Sequence, residues 1–165
     1  MMIKQCMVLL VENNAGVLAR VTSLFMQRGF NIDSLTVSST DNPHVSRITV
    51  MTTGDKRTFS QIMKQTSKLV ETKMIFSVEP SFSLIRELLL IKFSTESGDM
   101  DELKKIIVDF GASVIDNSSG CFVAELTESS ERIDAFLEAV KPYEIVELCR
   151  SGAIALERGL VSYEI

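Results

Sequence analysis

Residues 10–35 read L-V-E-N-N-A-G-V-L-A-R-V-T-S-L-F-M-Q-R-G-F-N-I-D-S-L, and this stretch decides the fold. An apolar run ends at a polar cluster that contains Gly16, a helical pattern continues to Gly29, and Phe30 opens another extended segment. A strand that enters a helix through an Asn/Gly turn leaves unpaired backbone N–H groups at one point, with the positive end of the helix dipole behind them. Such a turn can hold a small anion, for example a carboxylate.

The pattern around this stretch occurs twice in the chain. The first half is predicted to form a strand, a helix, two strands, a helix and a strand, over Ile3–Val11, Gly16–Arg28, Phe30–Ser39, Ser46–Thr53, Thr58–Lys68 and Val70–Val78. The second half is predicted to repeat that order over Arg86–Ser94, Asp99–Phe110, Ala112–Asn117, Cys121–Leu126, Ser130–Val140 and Tyr143–Cys149. Two consecutive βαββαβ units predict an α+β protein made of two ferredoxin-like sandwiches, over residues 1–80 and 81–165.

Composition limits the class of protein. The 165 residues are 45% hydrophobic and 24% charged, as in folded globular proteins. The sequence has no window approaching the roughly 20 apolar residues of a membrane span and no leader pattern, so we expect a cytoplasmic protein with no membrane partner. The three cysteines, Cys6, Cys121 and Cys149, lie in apolar, strand-like runs, which predicts buried thiols rather than disulfides or a zinc site.

Charge is divided unevenly between the two halves. Residues 1–80 hold 9 Lys+Arg and 6 Asp+Glu, a net +3, and residues 81–165 hold 8 and 16, a net −8, which sum to −5. Neither half contains a dense basic stripe, so a nucleic-acid partner is not expected. The strand Ser46–Thr53 also lacks the aromatic residues that RNA-binding units of this topology display.

The sequence contains no arrangement that would run a reaction alone. The single histidine, His44, follows Pro43 in a predicted turn, and one histidine cannot build a His-based metal site. No Gly-x-Ser-x-Gly elbow and no Gly-rich phosphate loop occurs. Each unit covers only one face of its sheet with helices, so a partner is expected over the other face or at a sheet edge, and we predict an oligomer.

Several motifs resemble one known family. In the first half they are Glu12-Asn13-x-x-Gly16-x-Leu18-x-Arg20-Val21, the run 28–37 and the run Ser46-Arg47-Ile48-Thr49, and in the second half the runs 86–88, 132–137 and 147–159. These motifs closely resemble the regulatory (small) subunit of acetohydroxyacid synthase, also called acetolactate synthase, which contains an ACT domain. The resemblance covers nearly the whole chain and implies an N-terminal ACT domain followed by an ACT-like domain.

The resemblance also implies a function. The small subunit of this family has no activity of its own and binds a catalytic large subunit, which carries thiamine diphosphate, Mg²⁺ and FAD. The large subunit condenses pyruvate with pyruvate or 2-ketobutyrate in branched-chain amino acid synthesis. The small subunit raises that activity and confers feedback inhibition, usually by valine. Its ACT domains pair side by side with the effector at the paired interface, so a homodimer is expected and no cofactor or metal is expected on this chain.

The effector site implied by the resemblance combines one turn with the start of the next strand: Asn13, Asn14, Ala15, Gly16, Val17, Leu18, Asn31 and Ile32. Because Gly16 lacks a Cβ, a carboxylate could approach the nearby amides, although the glycine could instead serve only the turn. Asn13 could cap the helix or bind the ligand, since both roles use its side-chain oxygen.

The remaining site residues keep two interpretations each. Asn31 could reach the ligand's amino group from the paired subunit, or it could cap a turn. The helical pattern places Val17 and Leu18 on the inward face of the first helix. With Ile32 they could form an apolar wall for an isopropyl group, or all three could be ordinary core residues. The corresponding turn of the second half, residues 94–99, carries two acids and lacks the Asn pair, so a structural or partner-contacting role is expected there.

Two other functional classes stay open at this point. A free-standing ACT-domain sensor would bind an amino acid without an enzyme partner, and a dimeric scaffold would bind no ligand. Which branched-chain amino acid serves as effector does not follow from the sequence, because valine, leucine and isoleucine differ by one methylene or its position.

Overall fold

A computed structural model describes residues 3–96 and 99–160. These residues divide into two units, the first made of residues 3–84 with 153–160 and the second of residues 85–152. No helix among them is long and apolar enough to cross a membrane. The second-half turn was predicted over residues 94–99, and Ser97 and Gly98 of that turn lie outside the described residues.

The first unit is a four-stranded antiparallel sheet with two helices. Its elements are β1 (Ile3–Glu12), α1 (Val17–Gln27), β2 (Ser34–Ser39), β3 (Val45–Gly54), α2 (Lys56–Thr66) and β4 (Thr72–Val78), followed by a 3₁₀ turn at Pro80–Phe82. The strand order is β2-β3-β1-β4, so β2 and β4 are the edges. This is the predicted ferredoxin-like order, and the α+β class is confirmed.

The core of the first unit follows from alternation along β1. Met7, Leu9 and Val11 point to one face and pack with buried residues of both helices, among them Val21 and Phe25. Phe30 packs against this cluster rather than extending a strand: its ring lies 6.4 Å from that of Phe25, and its amide donates to the Phe25 carbonyl at 2.9 Å. The prediction that β2 begins at Phe30 was therefore wrong by four residues.

The opposite face of the same sheet is also closed. Cys6, Val8 and Leu10 point to it and are buried. Arg47, which pairs with Leu10 across the ladder, lies on this face and donates a hydrogen bond to the Ala155 carbonyl at 2.7 Å. Strand β9 (Ile154–Glu157) is thus attached to this face.

A segment from the end of the chain therefore belongs to the first unit. The Ala153 amide donates to the Ser34 hydroxyl at 3.0 Å, and the Arg158 amide donates to the Phe82 carbonyl at 2.8 Å. Both β9 and this return to the first unit were absent from the sequence prediction, which placed residues 153–160 in the second half. Because this face is covered, it gives no reason to expect an oligomer, whereas β2 is an unpaired edge of the sheet within the described residues.

The second unit repeats the topology. It contains β5 (Ser83–Ser94, which begins in the first unit), α3 (Met100–Phe110), β6 (Ser113–Ser118), β7 (Cys121–Glu128), α4 (Ser130–Val140) and β8 (Ile145–Arg150). The strand order is β6-β7-β5-β8. Leu89, Ile91 and Phe93 of β5 pack with buried residues of α3 and α4, and the two-residue turn after β6 uses Gly120 at a positive φ of 82°.

The cysteines are free thiols with different exposure. Cys6 is buried, Cys121 is half-buried and Cys149 is exposed on the edge strand β8. The prediction of buried thiols was right for Cys6 and wrong for Cys149, because a strand at a sheet edge exposes side chains that a central strand would bury. Burial raises the pKa of the Cys6 thiol to about 11.

Candidate functional site

The site begins where β1 passes into α1. β1 ends at Glu12, and Gly16 is the residue that precedes the first helical position. Gly16 adopts a left-handed conformation with φ 86° and ψ −11°, which L side chains adopt only with strain. A Cβ built on Gly16 would have no atom within 4 Å, so open space lies beside this position.

The helix N-terminus behind Gly16 is left without a side-chain cap. The Val17 amide makes a long hydrogen bond of 3.4 Å to the Asn14 carbonyl, and the Arg20 amide donates to the Gly16 carbonyl at 3.1 Å. Between them, the amides of Leu18 and Ala19 have no acceptor within the described part of the chain. Two adjacent donors at the positive end of a helix dipole are suited to an anion.

The two asparagines of the turn have different partners. Asn13 does not cap the helix: its backbone amide donates to the His44 carbonyl at 2.9 Å and its side chain donates to the Pro43 carbonyl at 3.0 Å. The side chain of Asn14 donates to the Glu12 carboxylate at 3.1 Å. Asn13 therefore fastens the β1–α1 turn to the turn between β2 and β3.

Two acidic residues on the β4 side of the turn form ion pairs with nearby cations. Glu12 pairs with Lys73 at 2.7 Å, and the hydrogen bond and charge of Lys73 lower the pKa of the Glu12 carboxyl. Arg20 lies on the exposed face of α1 and forms an ion pair with Glu71. The cations near the turn thus already have carboxylate partners, and the free amides of α1 remain as its open anion-binding groups.

Asn31 and Ile32 lie far from this turn within one chain. They follow the C-terminal end of α1, whereas Gly16 precedes its N-terminal end, and an 11-residue helix is about 16 Å long. The Asn31 side chain is exposed and donates to the Asp33 carboxylate at 3.0 Å. A single chain therefore does not bring the two parts of the predicted site together.

The apolar side chains of the predicted site separate into core and surface. Val17 is buried in the core of the first unit, and Ile32 packs partly against that core. Leu18 is 41% exposed, although the helical pattern had placed it on the inward face. Leu18 is thus the apolar side chain of the turn that a ligand can reach.

Sequence reasoning included Asn14 in the site but missed the other groups that surround the turn. Glu12, Asn14, Asn42, His44, Val45 and Lys73 surround an open cleft of about 480 Å³ beside it. Asn13 and Pro43 are 30 residues apart, and Glu12 and Lys73 are 61 apart. Only the strand register, which sets Glu12 opposite Val45, could have indicated that these residues meet.

Comparison with known proteins identifies the family. The family described as "AHAS small subunit-like ACT domain" matches residues 7–73, and the family described as "Small subunit of acetolactate synthase" matches residues 86–159. The chain belongs to the acetolactate synthase small-subunit family. It is accordingly a regulatory subunit of that enzyme and is not itself catalytic, and its family implies a catalytic large-subunit partner.

This chain matches individual relatives over nearly their full length. The probable acetolactate synthase small subunit of Archaeoglobus fulgidus is 39% identical over 156 residues, which cover 94% of this chain and 98% of that protein. The isozyme 3 small subunit of Escherichia coli is 39% identical over 151 residues, covering 91% and 93%. The crystal structure of the Thermotoga maritima acetolactate synthase small subunit matches with a TM-score of 0.86 at 34% identity, covering 96% and 99%.

Proposed function

We propose that this chain activates the catalytic large subunit of acetolactate synthase and makes it sensitive to a branched-chain amino acid, with valine as the first candidate. The observation that carries the proposal is the uncapped N-terminus of α1, where the amides of Leu18 and Ala19 stand open beside Gly16. Thiamine diphosphate, Mg²⁺ and FAD belong to the large subunit in this proposal, and the assembly works in the cytoplasm.

The open amides supply the carboxylate half of the site. The carboxylate of a free amino acid accepts hydrogen bonds from Leu18 and Ala19, and the missing Cβ of Gly16 lets it approach. Charge-assisted hydrogen bonds contribute about 1.5–3 kcal/mol each before ordering costs. Burying a valine side chain adds about 1.5–3 kcal/mol, so a micromolar to millimolar affinity is expected, which suits a metabolite sensor.

The second half of the site comes from a paired chain. A twofold axis near the middle of α1 and β2 brings Gly16 of one chain to Asn31 of the other, because the two residues lie at opposite ends of α1. Two observations support pairing along this side. β2 is an edge strand, and three apolar side chains of α1 and β2 are exposed, Leu18 at 41%, Met26 at 75% and Val37 at 41%. Apolar side chains beside an open strand edge favour association.

In the paired site, Leu18 and Ile32 contact the aliphatic side chain of the ligand, while the Asn31 side chain faces its amino group. Selectivity among branched-chain amino acids is then limited to about 1–3 kcal/mol, since the ligands differ by a methylene or its position. Inhibition follows when the ligand favours one pairing geometry and the large subunit is more active with the other.

Reconstitution tests the proposal. The chain is added to the matching large subunit, and acetolactate formation is measured with and without valine, leucine and isoleucine. We expect a higher rate with the chain present and a loss of that gain with at least one of the three amino acids. An unchanged rate contradicts the activating role, and a raised rate that no branched-chain amino acid affects contradicts the effector site.

A mixing experiment tests the two-chain site. Gly16→Asp places a carboxylate where the ligand's carboxylate would bind, and Asn31→Leu removes the group expected from the other chain, so each variant alone should give an enzyme without feedback. A mixed dimer contains one site built from the intact Gly16 of one chain and the intact Asn31 of the other. Co-expression of the two variants should therefore restore partial inhibition, and mixed dimers without any inhibition contradict a shared site.

A further inference from the structure

A second cleft of the first unit lies at the opposite end of β1 from the turn around Gly16, which is called the effector turn because the proposed function places the effector there. It has a volume of about 490 Å³, and the side chains around it include Ile3, Lys4, Gln5, Lys56, Phe59 and Met63. Phe59 and Met63 belong to α2 and pack against the core, so they give the cleft an apolar floor. A cleft of this size accommodates several atoms of a peptide or a drug-sized ligand.

One wall of this cleft is an incomplete strand edge. β1 pairs with β3 along its full length, from Ile3 opposite Gly54 to Glu12 opposite Val45. Its ladder with β4 begins only at Cys6 opposite Val78. Because the chain turns away at Pro80, no strand among the described residues pairs with residues 3–5 on the β4 side.

An unpaired edge of this kind carries backbone groups that need partners. In an antiparallel ladder, successive residues of a strand direct their backbone N–H and C=O groups alternately to the two neighbouring strands. The backbone groups that face the cleft are therefore those of Lys4, or those of both Ile3 and Gln5. These are the groups to which an added strand binds in β-strand addition. The open edge therefore fits an extended peptide segment better than a small molecule.

The charges at the cleft define the kind of segment. Lys4 and Lys56 make no ion pair within the described residues, whereas Lys73 and Lys92 in the same protein are paired. Glu79 is the acidic residue at the cleft, and it accepts a hydrogen bond from the Ser81 hydroxyl at 3.4 Å. Two free ammonium groups against one carboxylate favour a segment that carries at least one acidic side chain.

We infer that this cleft, defined by residues 3–5 and by Lys56, Phe59 and Met63, receives an extended, acidic segment of the catalytic large subunit by β-strand addition. The segment continues the sheet beyond the end of β4, and its backbone bonds the open edge at residues 3–5. On the helix face its apolar side chains contact Phe59 and Met63 and an acidic side chain lies beside Lys56, whereas a second acidic side chain lies beside Lys4 on the opposite face of the sheet. The inference rests on the proposed assembly with the large subunit and assigns it a surface distinct from the effector turn.

Two cleft variants of the full chain test it, with the matching large subunit as the probe. Lys4→Glu with Lys56→Glu reverses both charges, and Ser60→Trp fills the cleft from an exposed position of α2. The control is Lys64→Glu with Lys68→Glu, which makes the same change of charge on exposed lysines that do not line the cleft. We expect the Kd for the large subunit, measured by calorimetry, to rise at least tenfold in both cleft variants and less than twofold in the control.

Hydrogen exchange identifies the mode of binding. Among residues 3–5, the backbone amides that face the open edge, which are those of Lys4 or of both Ile3 and Gln5, should become protected when the large subunit binds, because strand addition pairs them. If the cleft variants bind the large subunit as tightly as the wild-type chain does, the cleft is not the binding surface, and the proposed function is unaffected. Weakened variants without protection at residues 3–5 overturn strand addition, and a wild-type chain that does not bind the large subunit contradicts both proposals.

Discussion

The two units begin their first helix in opposite ways. α1 follows Gly16, which offers no side chain, and its Leu18 and Ala19 amides are open. α3 follows Asp99, whose carboxylate accepts hydrogen bonds from the amides of Asp101 and Glu102 at 3.0 and 3.1 Å. The second unit thus supplies from its own sequence a carboxylate at the position where, in the proposed function, the first unit receives one from a ligand.

The same contrast extends to the charges of the second unit. Glu87 is buried and accepts hydrogen bonds from the hydroxyl of Ser130 and from Arg150, the latter at 2.5 Å. Arg150 also bonds the carboxylate of Asp134 at 2.6 Å. A buried network whose charges are satisfied internally is suited to a structural role, whereas the open amides of the first unit are suited to binding.

The largest effect is expected from breaking this internal network. Arg150→Met leaves the Glu87 carboxylate buried without its cation, which costs about 3–5 kcal/mol when a buried pair loses one partner. Urea unfolding at neutral pH should show this loss. The matched control is Lys92→Met, which removes an ion pair with the exposed Glu147 and should change the unfolding midpoint far less. Equal losses in both variants would remove the distinction between internal and surface pairs.

A smaller effect is expected at the open turn itself. Gly16→Ala forces a side chain into the left-handed conformation and should cost about 1–2 kcal/mol of unfolding free energy, although the added Cβ meets no atom. Gly111→Ala is the control, because Gly111 has a φ of 75° at the end of α3 and its Cβ would also meet nothing. Both variants should lose similar stability.

Only the effector response should separate these two variants. In the reconstituted enzyme, Gly16→Ala should weaken inhibition by the amino acid because its methyl group lies where the carboxylate approaches, and Gly111→Ala should leave it unchanged. If both variants, or neither, alter the response, Gly16 serves only the turn.

The sequence predicted the repeat but not the long-range contacts that complete it. Helix α1 was located within one residue at each end because Gly16 and Gly29 mark both ends, and α3 was predicted to begin at Asp99, the residue that caps it. In contrast, β9 has only four residues, and Arg47, which binds its backbone, is 108 positions away from Ala155. A short segment whose structure depends on so distant a partner has no local pattern to reveal it.

Long-range contacts also limited the prediction of the candidate site. The turn was evident from its residue types, but the role of Asn13 was not, because both carbonyls that it binds belong to the turn between β2 and β3. Likewise, helical periodicity placed Leu18 inward, whereas the first turn of α1 leaves it 41% exposed. Periodicity identifies the buried side of a helix but not the residue at which an end becomes accessible.

Removing the N-cap of α3 in the second unit is expected to lower the unfolding free energy by about 1 kcal/mol. Asp99→Ala deprives the amides of Asp101 and Glu102 of their acceptor and should lower the unfolding free energy by that amount. Feedback inhibition of the reconstituted enzyme should not change, because the effector site is assigned to the first unit. A changed response would show that the second turn also contributes to effector binding.

The smallest effect concerns the ion pair that borders the open turn. Lys73 lowers the pKa of Glu12, so this pair stabilises the folded chain above the ordinary carboxyl pKa and stops doing so as the pH falls through the lowered value. Lys73→Met should therefore have a slightly lower melting temperature than the wild type at pH 7, and the difference should vanish in strong acid. Because both side chains are accessible to solvent, 1 M salt should also reduce the difference at pH 7. A difference that persists unchanged in acid and in salt would mean that Lys73 supports the turn by packing rather than by charge. The ion pair beside the open turn would then be structural, like the buried network of the second unit.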